Sequence, residues 1–385
     1  MKKDKYFGLS PRIACWKRDT PLENWLSLKA DESDFWKRIY VLYYKLCDRK
    51  YYRGGVELIE KVIEPYKDKF ISFDRNCIIR DMVYCLHRFG ISFEEYCIYD
   101  FVDKNNSCRN SYVSDKLRHY YCDILNSKSI TDLLNDKYKC YKKYAEFFKR
   151  EVLGCYADGD KDAFIEFISK YALFIFKPVD GNCGHGVKII SLEKSDASDF
   201  FDKRITDGPF VVEELICQGA EMTALHPQSI NSLRVSTFVL KGKVHINAIT
   251  LRMGLGESVV DNAGSGGIYA SVDPEYGFVQ TDARDYKGQH FNIHPDTGVQ
   301  IVGYKLPEWG KALSLIHKIA TCQEGTVLIA WDIAYSDKGW LMVEGNAVGS
   351  WDILQSNKQI GKKAELFSYM DNFFETDELL KGNRQ

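Results

Sequence analysis

The sequence predicts an α+β chain, a mainly helical first part followed by a strand-rich remainder, and three observations support this. Up to about residue 130, apolar and aromatic side chains recur at helical spacing with charges between them. Past residue 153 the texture changes to short apolar runs of strand length, divided by glycine-bearing turns. Two such runs, Trp331-Asp332-Ile333 and Met342-Val343-Glu344-Gly345-Asn346, flank a short turn and carry acidic and amide oxygens. At 385 residues the chain exceeds the usual size of one hydrophobic core, so two or three lobes are expected. We expect a helical region over 1–130, an α+β subdomain over 131–212 and a second over 213–385. A role for 1–130 in substrate recognition is compatible with its aromatic surface, although such a surface more often means core.

Composition narrows the function. The apolar fraction of 45% and the charged fraction of 28% are those of a globular protein. Lys and Arg number 52 against 54 Asp and Glu, a formal net charge of −2. A general nucleic-acid binder needs a basic excess for its phosphate contacts, so nucleic acid is excluded as a partner while a local basic pocket is not. The twelve cysteines form no C-x-x-C pair and no histidine cluster accompanies them, which leaves zinc unsupported. The start, Met-Lys-Lys-Asp-Lys-Tyr-Phe-Gly, carries no apolar signal region. No run approaches the roughly 18 uncharged residues of a spanning helix. A cytoplasmic protein with free thiols is expected.

Taken in order, Phe35–Leu42 carries apolar groups at helical spacing, and Cys77–Phe89 is a helix that stops at Gly90. Asn135 or Asp136 caps a helix from Lys137 to about Leu153. Residues 173–179 and 187–192 read as strands around the loop Asp180-Gly181-Asn182-Cys183-Gly184-His185-Gly186, and 210–216 as another. A hairpin pairs Leu233–Leu240 with Val244–Arg252, turning at Lys241-Gly242-Lys243. Asp337-Lys338-Gly339 is expected to be a three-residue turn with Gly339 left-handed, a register that sets Asp332 opposite Glu344. Glu344 and Asn346 share a face by alternation, so all three oxygen ligands then meet. A one-residue slip would send Asp332 to the other side. Such a set suits a hard divalent cation such as Mg²⁺ with phosphate oxygens completing its shell, and an ordinary hairpin with a polar solvent face is the alternative.

Further residues carry chemistry. Lys177 precedes the glycine-rich loop, where Gly181, Gly184 and Gly186 let backbone N–H groups approach an anion. The order is not that of a P-loop, because the lysine comes before the glycines. Glu213 and Glu214 end a strand and face opposite ways; one suits a ribose or an adenine edge, or both are a solvated strand end. Arg234 and Arg252 lie among apolar neighbours, where a guanidinium either meets a carboxylate or phosphate substrate or forms a structural ion pair. The loop Val260-Asp261-Asn262-Ala263-Gly264-Ser265-Gly266-Gly267 beside Arg252 suits close backbone contact with a substrate, or is a plain turn. Of the eight histidines His185, in the glycine loop, is the one to watch, and His226, His290 and His294 read as structural.

The order of these pieces resembles the ATP-grasp superfamily, and more closely its sugar-transfer-associated branch, related to the TupA-like group. The resemblance rests on Asn-Ser-Leu-Arg at 231–234, Leu-Arg-Met-Gly at 251–254, the loop 260–267, His294-Pro295-Asp296-Thr297-Gly298, Trp331-Asp332-Ile333-Ala334 and Glu344-Gly345-Asn346. Arg80-Asp81 and Phe89-Gly90 also look like that branch's N-terminal region. It implies an ATP-grasp fold, two α+β subdomains clamping Mg-ATP, behind a helical N-terminal region. By position, it makes Lys137 and Lys177 phosphate ligands beneath the closing loop 180–186, His185 included. Glu213, Glu214 and the backbone to Ile216 line adenine and ribose, with Glu221 a further ribose candidate. Asp332, Glu344 and Asn346 hold Mg²⁺, while Arg234, Arg252 and Asn262 stabilise the transferring phosphoryl. Cys183 and His185 depart from the small residues usual in that loop.

The activity so implied is a carboxylate–amine ligase working through an acyl phosphate, on small-molecule acid and amine substrates. The branch's association with surface-sugar genes suggests a sugar uronate, and glycosyltransferases as pathway partners. Two other outcomes stay open: a phosphotransferase acting on a hydroxyl, and an inactive nucleotide-binding partner of a glycosyltransferase.

Overall fold

The computed structural model describes residues 20–47, 49–179 and 186–376, and these form two compact units. Residues 20–121, 287–289 and 350–376 make one, and 122–286 with 290–349 the other. This clustering draws its lines elsewhere than the divisions at 130 and 212 read from the sequence, and it sets 350–376 with the helices.

The first unit is helical for local reasons. Asp74 caps the helix Arg75–Phe89 by accepting from the Cys77 amide at 2.8 Å, and Gly90 ends it at φ +74. Ser92 and Glu95 form a reciprocal capping box on the next helix, Phe93–Ile98. The apolar stripes meet in a core that includes Tyr40, Met82, Tyr84, Tyr96 and Phe101, all at most 1% exposed. Inside it Asp81 takes both Lys37 at 2.7 Å and Arg109 at 2.6 Å, so no charge is buried alone. The unit also carries a largely apolar, surface-open pocket of about 630 Å³ lined by Tyr44, Tyr51, Leu58, Val83, His87 and Phe93. Cys85, Cys97, Cys140 and Cys155 are free thiols buried in the cores of the two units. Among the described residues no helix is long and apolar enough to cross a membrane.

The second unit holds two antiparallel sheets. The smaller joins β1 (Val152–Cys155), β2 (Leu173–Pro178), β3 (Lys188–Ser191) and β4 (Phe210–Glu214) in the order β1-β4-β2-β3. The helices Lys161–Lys170 and Ala197–Ile205 cover it, around a centre where Phe164 meets Phe174, Phe201 and Phe210. The larger sheet contains β5 (Ser232–Leu240), β6 (Lys243–Met253), β7 (Ile268–Val272), β8 (Ala283–Arg284), β9 (His290–Phe291), β10 (Leu328–Ser336) and β11 (Gly339–Asn346). Their order is β11-β10-β5-β6-β7-β8-β9.

One face of the larger sheet is core. Leu233, Val235, Ile249, Leu251, Trp331 and Ile333 pack there with the helices Lys137–Phe148 and Trp309–Thr321. The opposite face is polar because the alternate residues Ser232, Arg234, Thr250, Arg252 and Asp332 occupy it. The helix from Lys137 stops at Phe148, five residues before the expected end, because Lys149 takes a left-handed conformation at φ +49. The β5–β6 turn is also tighter than expected: Lys241 at φ +51 and Gly242 at φ +75 make a two-residue turn, and Lys243 already pairs with Leu240.

Candidate functional site

The hairpin β10–β11 corrects one step of the sequence reading and keeps its outcome. Ser336 pairs with Gly339, so the turn is the two residues Asp337 and Lys338, with Gly339 at φ +80. That register, continued inward, pairs Ile333 with Met342 and would next set Glu344 opposite Trp331, on the core face. A β-bulge intervenes between Asp332 and Ile333, and Val343 is the extra residue. Beyond it Asp332 faces Glu344, and Ala330 faces Asn346. The two carboxyl groups come into hydrogen-bonding contact. Asn346 Nδ2 donates to Glu344 Oε1 at 3.2 Å. Gly345, between Glu344 and Asn346, is demanded by packing: a Cβ there would lie 2.8 Å from the Trp331 ring and 3.0 Å from Leu134.

Two arginines converge on the same face. Arg234 is the β5 partner of Asp332 and engages it bidentately through Nε and Nη2, the latter at 3.1 Å. Arg252 Nη2 reaches Asp332 Oδ2 at 3.0 Å, and its Nε donates to Ser232 Oγ at 3.1 Å and lies 3.6 Å from Asp261. Both arginines read as substrate or ion-pair candidates therefore form ion pairs to one carboxylate, which is 2% exposed. Burial works to raise the Asp332 carboxyl, but Arg234 and then Arg252 outweigh it and hold it down at about 2.

The loop after β6 returns to this cluster. Asp261 accepts from the Ser232 amide at 2.9 Å, and Asn262 Oδ1 from the Gly264 amide at 3.3 Å. Gly267 is there because a Cβ would sit 2.5 Å from the Asp261 carbonyl oxygen, so the close backbone approach is to the chain itself. His226 and His294 take the structural roles read for them, each with Nε2 against a carbonyl, of Gly256 at 3.0 Å and Gly254 at 3.1 Å. His290 lies exposed in β9.

At the other sheet, Lys177 ends in an ion pair with Glu213 at 2.8 Å, and Arg150 binds the second oxygen of the same carboxylate at 2.8 Å. Glu213 is 5% exposed; burial pushes its carboxyl up, but Lys177 first and Arg150 next hold it at about 2. Glu214 points the other way, as alternation requires, and pairs with Lys338 at 3.0 Å. The segment beyond it lies along the hairpin tip: Asp337 N donates to the Cys217 carbonyl at 3.0 Å, and Gly219 N to that of Tyr335 at 3.0 Å. Ile216 is half-buried in this segment. Glu221 is exposed in the first turn of Ala220–Leu225, and its carbonyl accepts from Tyr304. Lys137 Nζ donates to the Val179 carbonyl at 3.1 Å, at the edge of the glycine-rich loop. Gly186 closes that loop at φ +78 against Pro178; Gly181, Gly184 and His185 lie outside the described residues.

Sequence reasoning passed over Arg150. Its side chain, 2% exposed, also donates to the carbonyls of Met342 at 2.8 Å and Val343 at 3.2 Å. The one local signal was an arginine opening an apolar strand, a place where a charge needs a partner.

These ion pairs set a pH dependence. For a carboxyl lowered from 4.5 or 3.8 to about 2, the stabilisation is present above the ordinary value and lost as pH falls. The unfolded chain takes up the proton first, so each pair contributes roughly 2–4 kcal/mol at neutral pH that disappears between about pH 5 and pH 2. Urea unfolding from pH 7 down to 3 should show a steep loss of stability. Glu213→Gln should flatten that slope; an unchanged slope would show that the pair contributes nothing.

The oxygen donors at the hairpin are of the type a divalent cation takes, with both oxygens of Asp332 held by Arg234 and Arg252. Two carboxyl groups in contact repel once both are ionised, unless a proton or a cation lies between them. Two carboxylates and an amide are too few for a complete shell, which is the situation of Mg²⁺ sharing phosphate oxygens. Among the described residues no group of three or more His, Cys, Asp or Glu is placed to hold a metal ion.

A family model described as sugar-transfer associated ATP-grasp matches residues 116–370. No curated protein sequence matches the chain. Among solved structures, D-alanyl-alanine synthetase A from Vibrio cholerae O1 biovar eltor is similar at 12% identity and a TM-score of 0.40, over 64% of this chain and 66% of that one. The ATP-grasp ligase PsnB, complexed with a minimal precursor, is similar at 12% identity and 0.39, over 64% of each chain. The VanG D-Ala:D-Ser ligase from Enterococcus faecalis follows at 11% and 0.39, over 63% and 61%. The chain thus spans less than two thirds of the length of these structures.

Proposed function

The chain belongs to the sugar-transfer associated ATP-grasp family, and from that premise we propose that it is an ATP-dependent carboxylate–amine ligase acting on a sugar-linked acid. The observation that carries the reading is the single polar face on which Arg234, Arg252, Asp332, Glu344 and Asn346 meet. A cluster with two guanidiniums and three oxygen ligands suits the transfer of a phosphoryl group between oxyanions.

In this reading Lys137 and Lys177 hold the ATP phosphates, Lys177 exchanging the Glu213 carboxylate for phosphate oxygens. Glu213, Glu214, Ile216 and Glu221 line the adenine and ribose. Mg²⁺ bound by Asp332, Glu344 and Asn346 would neutralise the charge on those phosphates. Asp332 takes up Nε and Nη2 of Arg234, which leaves Nη1 for an incoming oxyanion. A substrate carboxylate oxygen attacks the γ-phosphorus, the bond to the bridging oxygen breaks, and ADP leaves. Arg234, Arg252 and Asn262 stabilise the charge on the transferring oxygens. The amine then attacks the acyl carbon, the bond to phosphate breaks, and phosphate and a proton depart as the amide forms. Positioning is the main contribution, so no enzyme nucleophile is required.

The family's sugar-transfer association supports a sugar uronate as the acid and surface polysaccharide synthesis in the cytoplasm as the setting. The apolar pocket of about 630 Å³ in the helical unit has the size of a small-molecule site. A screen of acid and amine pairs with ATP, read by ADP release and product mass, tests the reading. ADP should appear only when both acid and amine are present, with a product of their summed mass less water. ADP release with a hydroxyl sugar alone, giving a phosphorylated product, would make the protein a phosphotransferase instead.

A further inference from the structure

We propose that Arg150 is a positioning residue that ties the nucleotide lysine to the metal-binding strand by clamping the bulge at Val343. The inference rests on the ligase reading of the site and adds a residue that the reading does not use.

Four observations converge on one guanidinium. Its Nε and Nη2 hold Glu213 Oε2 at 3.1 and 2.8 Å, while Oε1 of the same carboxylate holds Lys177 at 2.8 Å. Its Nη1 and Nη2 donate to the Met342 and Val343 carbonyls at 2.8 and 3.2 Å. Val343 is the residue that the bulge adds to β11. A bulge leaves local backbone groups outside the ladder, and such groups need other partners when buried. Arg150 supplies them from the bend that leads into β1.

The consequence follows from the register. Without the bulge Glu344 would fall opposite Trp331 on the core face; with it, Glu344 faces Asp332. The guanidinium that stabilises the bulge therefore holds the metal ligand on the right face. It also fixes the position of the carboxylate that Lys177 leaves when phosphate arrives. A lysine at 150 has neither the planar fork nor enough donors for both tasks.

The test uses the full chain with Arg150→Met and Arg150→Lys. The buried-core variant Phe164→Leu, whose side chain is fully buried between the helix Lys161–Lys170 and the smaller sheet, is the control for simple loss of stability. We expect both Arg150 variants to raise the Mg²⁺ concentration for half-maximal ADP formation by about tenfold or more, the scale of lost ligand support. Amide exchange over 340–346 should quicken by a similar factor, while Phe164→Leu moves neither. Arg150 variants that match the control in both readouts would overturn the proposal. Failure of the wild-type protein to turn over ATP with any acid would fall on the ligase reading alone, since exchange at 340–346 still decides whether Arg150 clamps the bulge.

Discussion

Replacing Glu344 by alanine should abolish ATP turnover, by on the order of a thousandfold, while leaving the fold intact. Glu344 is half-buried on the polar face, and its side chain takes no part in the apolar core. Its loss also relieves the contact between two carboxyl groups, so stability should change by less than about 1 kcal/mol. Loss of ADP formation with an unchanged unfolding midpoint would match the metal assignment. Near-normal turnover would sink it, whatever the family.

Asp332→Asn should act in the opposite way, on the fold as much as on chemistry. The carboxylate is 2% exposed and neutralises two guanidiniums at once. An asparagine keeps the shape but leaves Arg234 facing a neutral amide, and leaves Arg252 with Asp261 at 3.6 Å as its remaining carboxylate. Removing one partner from a buried ion pair costs about 3–5 kcal/mol, because the other charge stays buried. Urea unfolding at pH 7 should show a loss of that order, and the added change Arg252→Met should recover part of it. A loss under about 1 kcal/mol would mean that water reaches the arginines.

Much of this was legible in the residues. The polar–apolar alternation of Ser232-Leu233-Arg234-Val235-Ser236 states which face of β5 is core, since side chains alternate along a strand. Gly90 and Asp136 mark helix ends through conformational freedom and capping, both local effects. That Asp332, Glu344 and Asn346 share one face was readable because the two strands are neighbours joined by a short turn. The turn itself was misjudged by one residue, and the bulge at Val343 restored the pairing the longer turn would have produced.

The sequence by itself determined the family and the strand faces, because each depends on residue type and on neighbours a few positions away. The tertiary structure decided which charges meet. Arg150 finds Glu213 at a separation of 63 residues and Met342 at 192, and Arg234 finds Asp332 at 98. Contacts at such separations leave no periodic trace in the chain, because the desolvation that makes a buried arginine need its carboxylate exists only once the sheets have packed.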